Sequence, residues 1–89
     1  MELDELRSRL DAIDDRVVAL LSERAQVVVH VAEVKRQHHL PIYIPERETF
    51  IIRRLRTINP GPLSGDAIER IYRAVIEEMR HFESDHLDQ

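Results

Sequence analysis

The 89-residue sequence has no cysteine and no tryptophan, and it contains two glycines. Without cysteine, the chain can form neither a disulfide scaffold nor a cysteine-ligated metal site. Two glycines are too few for a glycine-rich loop that holds phosphate groups through its backbone. Aromatic residues make up 4% of the sequence against 43% hydrophobic residues. The hydrophobic core therefore has to be aliphatic.

The composition favours neither a membrane nor a nucleic acid as a partner. No apolar run approaches the roughly 20 residues that a membrane-spanning helix needs. The first six residues, Met-Glu-Leu-Asp-Glu-Leu, are acidic where a secretory signal would be basic and then apolar. The net charge is −4, whereas a nucleic-acid-binding protein usually presents a basic face. We therefore expect one small cytoplasmic domain.

Residues 3–38 contain neither glycine nor proline and predict one long helix. At about 1.5 Å per residue this helix would be roughly 54 Å long, whereas a compact chain of this size is about 30 Å across. Its apolar residues recur at alternating steps of three and four, the pattern of a helix packed lengthwise against other helices. A second chain has to cover the far half, and an intertwined homodimer is the simplest arrangement. We call this repeat the apolar seam: Leu3, Leu6, Leu10, Ile13, Val17, Leu20, Arg24, Val27, Val31 and Val34.

Prolines and turn residues divide the rest of the chain into two further helices. Pro41 and Pro45 break the first helix, and Pro45 suits the first position of a second. The Asn-Pro-Gly-Pro sequence at 59–62 predicts a turn, after which Ser64 is a good N-cap. The predicted fold is therefore all-α, with a long, a short and a medium helix. The predicted helices are residues 3–38, 46–57 and 65–83, all approximate, followed by a polar tail at 84–89 that is expected to fray.

Arg24 lies on the apolar seam at a position where the repeat calls for a leucine. A buried guanidinium without a partner loses several kcal/mol of hydration, so an anion should meet it. That anion is either a carboxylate of the protein or a ligand. Taken alone, pairing with a buried glutamate, or a side chain that reaches out to solvent, is the more common explanation of a seam arginine.

Two other cations on the first helix make a ligand a competitive explanation. Lys35 follows Arg24 by eleven residues, or about 16 Å, and points to nearly the same face. Arg7 precedes Arg24 by seventeen residues, about 25 Å, so it could join them only from an antiparallel partner helix. Three converging cations suit a small ligand with more than one carboxylate. The remaining candidate site residues are Arg47, Glu48 and Glu83.

The five histidines do not predict a metal site. His38 and His39 are adjacent, and neighbouring side chains on a helix diverge by about 100°. His81 and His86 are five residues apart, not the three or four that bring two imidazoles to one metal on a helix. No arrangement of serine and histidine suggests a covalent nucleophile. We expect surface histidines and no metal ion.

Several short sequences occur in a definite order along the chain. They are Leu6-Arg7, Ile13-Asp14, Leu20-Leu21-Ser22-Glu23-Arg24, Lys35 and Pro45-Glu46-Arg47-Glu48. In this order and spacing they resemble the all-helical AroQ (type II) class of chorismate mutase, from about residue 3 to 83. The resemblance implies an intertwined dimer of three-helix chains. It also implies the Claisen rearrangement of chorismate to prephenate, in phenylalanine and tyrosine biosynthesis, without a cofactor.

The resemblance assigns a role on chorismate to each candidate residue. Arg24 and the partner's Arg7 would bind the two carboxylates, and Lys35 would donate a hydrogen bond to the ether oxygen of the breaking bond. Arg47 would help to order the pocket. Glu48 would hold the ring hydroxyl.

Glu83 would also contact the ether oxygen, where a carboxylate would repel the developing negative charge. It must therefore carry a proton to donate, so we expect activity to fall as the pH rises and Glu83→Gln to flatten this dependence.

Two residues depart from the family pattern. Ile44 stands where many members have an aspartate that caps the second helix and faces the substrate. An aliphatic residue at this position is similar to the mutase domains fused to prephenate dehydratases. Met79 stands where many members have a serine near a substrate carboxylate.

Three alternatives stay open at this point. An isochorismate pyruvate-lyase would use the same fold and a similar dicarboxylate, although the Arg47-Glu48 pair favours the mutase. A regulatory or interaction domain would show a low rate that rises when an aromatic-pathway partner enzyme is added. A purely structural helical dimer would be stabilised by Arg24→Leu and would have no activity to lose.

Overall fold

The computed structural model describes residues 2–87, which form three helices and no β-strand. Helix α1 spans Leu3–Gln37, α2 spans Pro45–Ile58 and α3 spans Gly65–Leu87. The prediction of an all-α chain with a long, a short and a medium helix is confirmed. Across these residues, no helix is both long enough and apolar enough to cross a membrane.

Helix α1 ends at Gln37, two residues after Lys35, through a backbone motif that usually contains glycine. The amide of Leu40 donates to the carbonyl of Lys35 at 2.8 Å, and the amide of His39 donates to the carbonyl of Arg36 at 3.3 Å. His39 supplies the left-handed conformation between them, with φ of 56°. This pair of bonds is the Schellman motif. It turns the chain sharply, so that residues 40–44 return beside the end of α1.

The two later helices begin at the positions that their cap residues indicate. Pro45 occupies the first turn of α2, and Ile44 precedes it without a side-chain cap. The Ile44 carbonyl accepts hydrogen bonds from the amides of Arg47 and Glu48, which begins the helix. Ser64 caps α3 as predicted, because its Oγ accepts a hydrogen bond from the Ala67 amide at 3.1 Å.

The prediction that residues 84–89 fray is wrong for residues 84–87, which continue α3. Two contacts hold this last segment against α1. Glu83 is buried beside Lys35, and the His86 imidazole lies 3.6 Å from a carboxylate oxygen of Glu33. Polar composition indicated a free tail because it gives no information about contacts with a distant helix. Residues 88 and 89 of that tail lie outside the described residues.

Helix α3 packs against both other helices, whereas within residues 2–87 the backbones of α1 and α2 do not approach each other closely. Arg24 contacts Tyr72, and eleven residues further along both helices Lys35 contacts Glu83, so α1 and α3 run parallel. Helix α2 runs antiparallel to α3. The small core consists of Val28, Ala32, Ile52 and Ile76.

The first half of α1 extends beyond this core. Every residue from 2 to 20 is exposed, and the protein is 54 Å along its longest axis. The apolar seam is therefore uncovered over half its length. The exposed seam residues there are Leu3, Leu6, Leu10, Ile13, Val17 and Leu20.

Candidate functional site

A cavity of about 650 Å³ lies between the second half of α1, the start of α2 and the second half of α3. This volume is typical of sites for small molecules. Aliphatic side chains form most of its wall, among them Val28, Ile51 and Ile76. Its charged lining consists of Glu23, Arg24, Lys35, Arg47, Glu48, Arg80 and Glu83.

Lys35 and Glu83 form a buried ion pair at the end of the cavity nearest the α1 terminus. Their side chains are 12% and 8% exposed, and Lys35 Nζ lies 2.9 Å from Glu83 Oε2. Lys35 Nζ also donates a hydrogen bond to the Ile42 carbonyl at 2.8 Å. Glu83 Oε2 accepts no well-aligned hydrogen bond within residues 2–87, so its contact with Lys35 is electrostatic. The turn after α1 thus fixes the tip of Lys35 through Ile42.

Arg24 contacts a hydroxyl group, whereas its position on the apolar seam predicts an anion as its partner. Its Nε donates to the Tyr72 hydroxyl at 3.0 Å, and its guanidinium carbon lies 5.6 Å from the centre of the Tyr72 ring. No carboxylate of residues 2–87 forms an ion pair with Arg24. Tyr72 follows Ile68 by four residues and precedes Ile76 by four, so the sequence indicates an apolar position for it on α3. The signal for its second role was that a partly buried tyrosine hydroxyl needs a hydrogen-bond partner.

Arg47 and Glu48 line the cavity from the first turns of α2. The Arg47 guanidinium carbon lies 5.2 Å from the centre of the Phe50 ring, and Arg47 is exposed at the rim. The Glu48 side chain is 19% exposed, and its Oε2 lies 3.7 Å from Arg80 Nε. The two adjacent residues therefore have different surroundings.

Arg80 is a site residue that the sequence analysis missed. It follows Ile76 by four residues and precedes Glu83 by three, so it lies on the apolar stripe of α3. The argument that identified Arg24 on the seam of α1 applies equally to this position. The guanidinium carbon of Arg80 lies 4.8 Å from the centre of the Tyr43 ring.

Comparison with known proteins identifies the family. A family model described as "Chorismate mutase type II" matches residues 6–84. The chain belongs to the type II chorismate mutase family.

Two relatives illustrate the forms in which this family occurs. A protein named "Chorismate mutase" from Methanocaldococcus jannaschii is 32% identical over 89 residues, which cover 99% of this chain and 90% of that protein. A "Bifunctional chorismate mutase/prephenate dehydratase" from Aquifex aeolicus is 38% identical over 79 residues, covering 84% of this chain and 22% of that protein. The chain thus spans about a fifth of the length of such bifunctional relatives.

Solved structures of similar sequence share the fold. A chorismate mutase from Helicobacter pylori, in complex with prephenate, is 31% identical with a TM-score of 0.91, covering 98% of this chain and 94% of that one. A chorismate mutase from Thermus thermophilus is 27% identical with a TM-score of 0.90, covering 92% of this chain and 93% of that one.

The residues for which the type II family raised expectations fall into two groups. Ile44 and Met79, the two departures from the family pattern, both line the cavity and add to its apolar wall. Arg7 is exposed, lies 3.9 Å from Asp4, and does not line the cavity of its own chain. The role of the partner's Arg7 in the site stays a prediction.

The described histidines lie outside the cavity lining, and His38, His39 and His81 are exposed. Between residues 2 and 87 there is no group of three histidine, aspartate or glutamate side chains that could hold a metal ion. The arrangement at the cavity is one of cations and carboxylates in an apolar enclosure.

Proposed function

We propose that this chain rearranges chorismate to prephenate as a chorismate mutase. One observation carries the proposal: the five candidate residues of this chain line a single cavity in a member of the type II family. These residues are Arg24, Lys35, Arg47, Glu48 and Glu83. A similar protein of known structure is a chorismate mutase in complex with prephenate, which supports the same site chemistry.

The chemistry of the reaction suits a site without a nucleophile. In the rearrangement the carbon–oxygen bond of the ether breaks while a carbon–carbon bond forms between the enolpyruvyl methylene and the ring. Six electrons move in one cycle, and no atom enters or leaves. The protein then has two tasks, which are to hold the enolpyruvyl arm over the ring and to stabilise negative charge on the ether oxygen.

Lys35 is the donor that we assign to the ether oxygen. An ammonium group has three N–H donors, of which the Ile42 carbonyl engages one, while Glu83 holds the group through its charge. This leaves a donor for a ligand in the cavity. Because both protein contacts are already in place, little reorganisation is needed as charge develops in the transition state.

Arg24 is the group that we assign to a substrate carboxylate. Its Nε is engaged by Tyr72, which orients the guanidinium, and its terminal nitrogens can form a bidentate pair with a carboxylate. We assign the ring hydroxyl to Glu48, and Arg47 at the rim would help to order the pocket. Glu83, which pairs with Lys35 in the free protein, would donate to the ether oxygen only when it carries a proton.

A homodimer would complete the site. Arg24 supplies one contact to a carboxylate in this assignment, whereas chorismate has two carboxylates. The partner's Arg7 would supply the second. The uncovered apolar seam along residues 3–20 supports a second copy of the chain, since exposed apolar surface of this extent usually marks an interface.

Two further expectations stay predictions. The bifunctional relatives support the idea that such a domain works beside another enzyme of aromatic biosynthesis, either in one chain or as a partner. Cytoplasmic location is an expectation from the sequence.

The decisive experiment follows the loss of chorismate by absorbance. Wild type should exceed the spontaneous rate, and Arg24→Ala should lower kcat/KM by about 100-fold or more, because a charge-assisted contact is lost. Arg73→Ala is the control, since Arg73 lies on α3 and pairs with Glu69 outside the cavity. A wild-type protein without turnover would disprove the proposal, and turnover of isochorismate alone would identify a lyase.

A further inference from the structure

The surroundings of Arg80 leave one of its buried hydrogen-bond donors without a partner among residues 2–87. Its Nε is shielded from solvent and has no hydrogen-bond acceptor among residues 2–87. A buried donor without an acceptor costs roughly 1–3 kcal/mol, more when the group is charged. The nearest anion is Glu48, whose Oε2 lies 3.7 Å away. This distance is that of an ion pair and exceeds the reach of a direct hydrogen bond.

The position of Arg80 Nε decides whether this nitrogen contacts a ligand directly or acts on it through a neighbouring residue. A ligand in the cavity cannot reach an atom that solvent does not reach, so this nitrogen is not a direct substrate contact. Glu48 can approach it, because a shift of less than about 1 Å would give a charge-assisted hydrogen bond. Through this nitrogen, Arg80 can therefore act on the ligand only by way of Glu48.

Arg80 also rests on the segment that leads into α2. Its guanidinium carbon is 4.8 Å from the centre of the Tyr43 ring, a distance typical of cation–π contacts. Tyr43 lies between Ile42, whose carbonyl holds Lys35, and Ile44, whose carbonyl begins α2. One arginine of α3 thus lies beside both the carboxylate of Glu48 and the Tyr43 ring of the segment that leads into α2.

We infer that Arg80 is a positioning residue, which holds the carboxylate of Glu48 toward the ligand hydroxyl. The inference rests on the proposed function and adds to it a residue that determines recognition of the hydroxyl. The hydroxyl takes no part in the bond rearrangement, so it is held equally in substrate and transition state. Loss of Arg80 should therefore raise KM more than it lowers kcat.

The test is a double-mutant cycle on chorismate turnover with Arg80→Met and Glu48→Gln. Arg80→Met should lower kcat/KM about tenfold, mostly through KM, as expected when two coupled residues are separated. In the Glu48→Gln background, the same substitution should cause less than about a twofold further loss. Arg80→Lys keeps the charge and should fall between wild type and Arg80→Met. Arg73→Met, on the same helix, is the matched control and should leave kcat and KM unchanged.

The outcomes separate this inference from the proposed function. If wild type turns over chorismate but Arg80→Met has no effect, or the same effect in both backgrounds, the inference is wrong and the function stands. If wild type shows no turnover, the proposed function is wrong and the inference falls with it. Should Arg80→Met fail to fold by circular dichroism, Arg80→Lys in the two backgrounds decides in the same way.

Discussion

The two halves of α1 carry the same apolar repeat but have different surroundings. Residues 2–20 are all exposed, whereas beyond them Val28 and Ala32 are buried and Lys35 is 12% exposed. Helix α3 is the cause, because it packs on α1 from the Arg24–Tyr72 contact onward. At about 1.5 Å per residue, α1 is roughly 53 Å long and α3 roughly 35 Å, and α3 also has to cover α2.

This difference shows how a small chain can build a polar site in an aliphatic fold. The covered half of α1 supplies the partly buried cations Arg24 and Lys35 to a cavity closed by α2 and α3. The uncovered half supplies an apolar surface and, near its start, Arg7. If the homodimer forms as proposed, the uncovered half of one chain becomes a wall of its partner's site, so both halves serve the same function.

The largest effect is expected from Lys35→Met in the covered half. Removal of one preorganised donor from a developing oxyanion typically lowers kcat by about 100- to 1,000-fold. The substitution also leaves Glu83 buried without its cation, which should lower the free energy of unfolding by about 3–5 kcal/mol. Lys35→Met combined with Glu83→Gln should recover stability but not activity. Arg36→Met is the control, and comparable activity of Lys35→Met and wild type would contradict the assignment.

Leu10→Glu tests the uncovered half. If the apolar seam is a dimer interface, this change buries a carboxylate in each chain and should convert the dimer to a monomer. We expect sedimentation analysis to show this conversion and activity to fall about 100-fold, since removing a cation from a charge-dependent site has an effect of this size. Ser8→Glu places the same side chain off the seam and should leave both properties unchanged. A Leu10→Glu protein that remains dimeric and active would show that the seam is not the interface.

A mixture of Arg7→Ala and Arg24→Ala tests whether one site uses both halves. Each variant alone should be nearly inactive, because each removes one carboxylate contact from both sites. In a mixed dimer, one site regains both arginines and the other has neither. After refolding together, half of the dimers are mixed, so activity should recover to about a quarter of the wild-type value. A mixture no more active than its components would place Arg7 outside the shared site.

The smallest effect is expected from Glu33→Gln on the solvent side of the covered half. The hydrogen bond and the charge of Arg36 hold the pKa of Glu33 below its ordinary value. Such a carboxylate stabilises the fold above its unfolded pKa, and this contribution is lost as the pH falls through the lowered folded pKa. Solvent screens the pair, so Tm should fall slightly at neutral pH. The difference should vanish in acid, and a difference that grows in acid would contradict this account.

The helices and their termini could be predicted because the signals are local. Pro45, Ser64 and the 59–62 turn indicate the ends of helices through backbone properties of a few neighbouring residues. The end of α3 was placed too early because it depends on Glu83 and His86, which contact α1 about fifty residues away in sequence. The composition of the segment itself gives no information about such a contact.

The candidate site also contains residues that could be identified from the sequence and residues that could not. Arg24 and Lys35 could be identified because a charge at a seam position breaks a repeat that is visible in the sequence. Arg80 breaks the stripe of α3 in the same manner but at its polar end, where the repeat is weaker. Tyr72 could be assigned to the core, but its hydrogen bond to Arg24 depends on how two helices pack.

The sequence by itself determined three helices, an apolar seam longer than one chain can cover, and cations at positions where burial demands an anion. These follow from backbone geometry and from the period of the apolar residues. The tertiary structure decided which groups meet, since α1 and α3 run parallel with a register that joins Arg24 to Tyr72 and Lys35 to Glu83. A change of one helical turn in that register would preserve the apolar pattern but separate both pairs by about 5 Å. The register depends on packing between distant segments, and for that reason only the folded chain shows it.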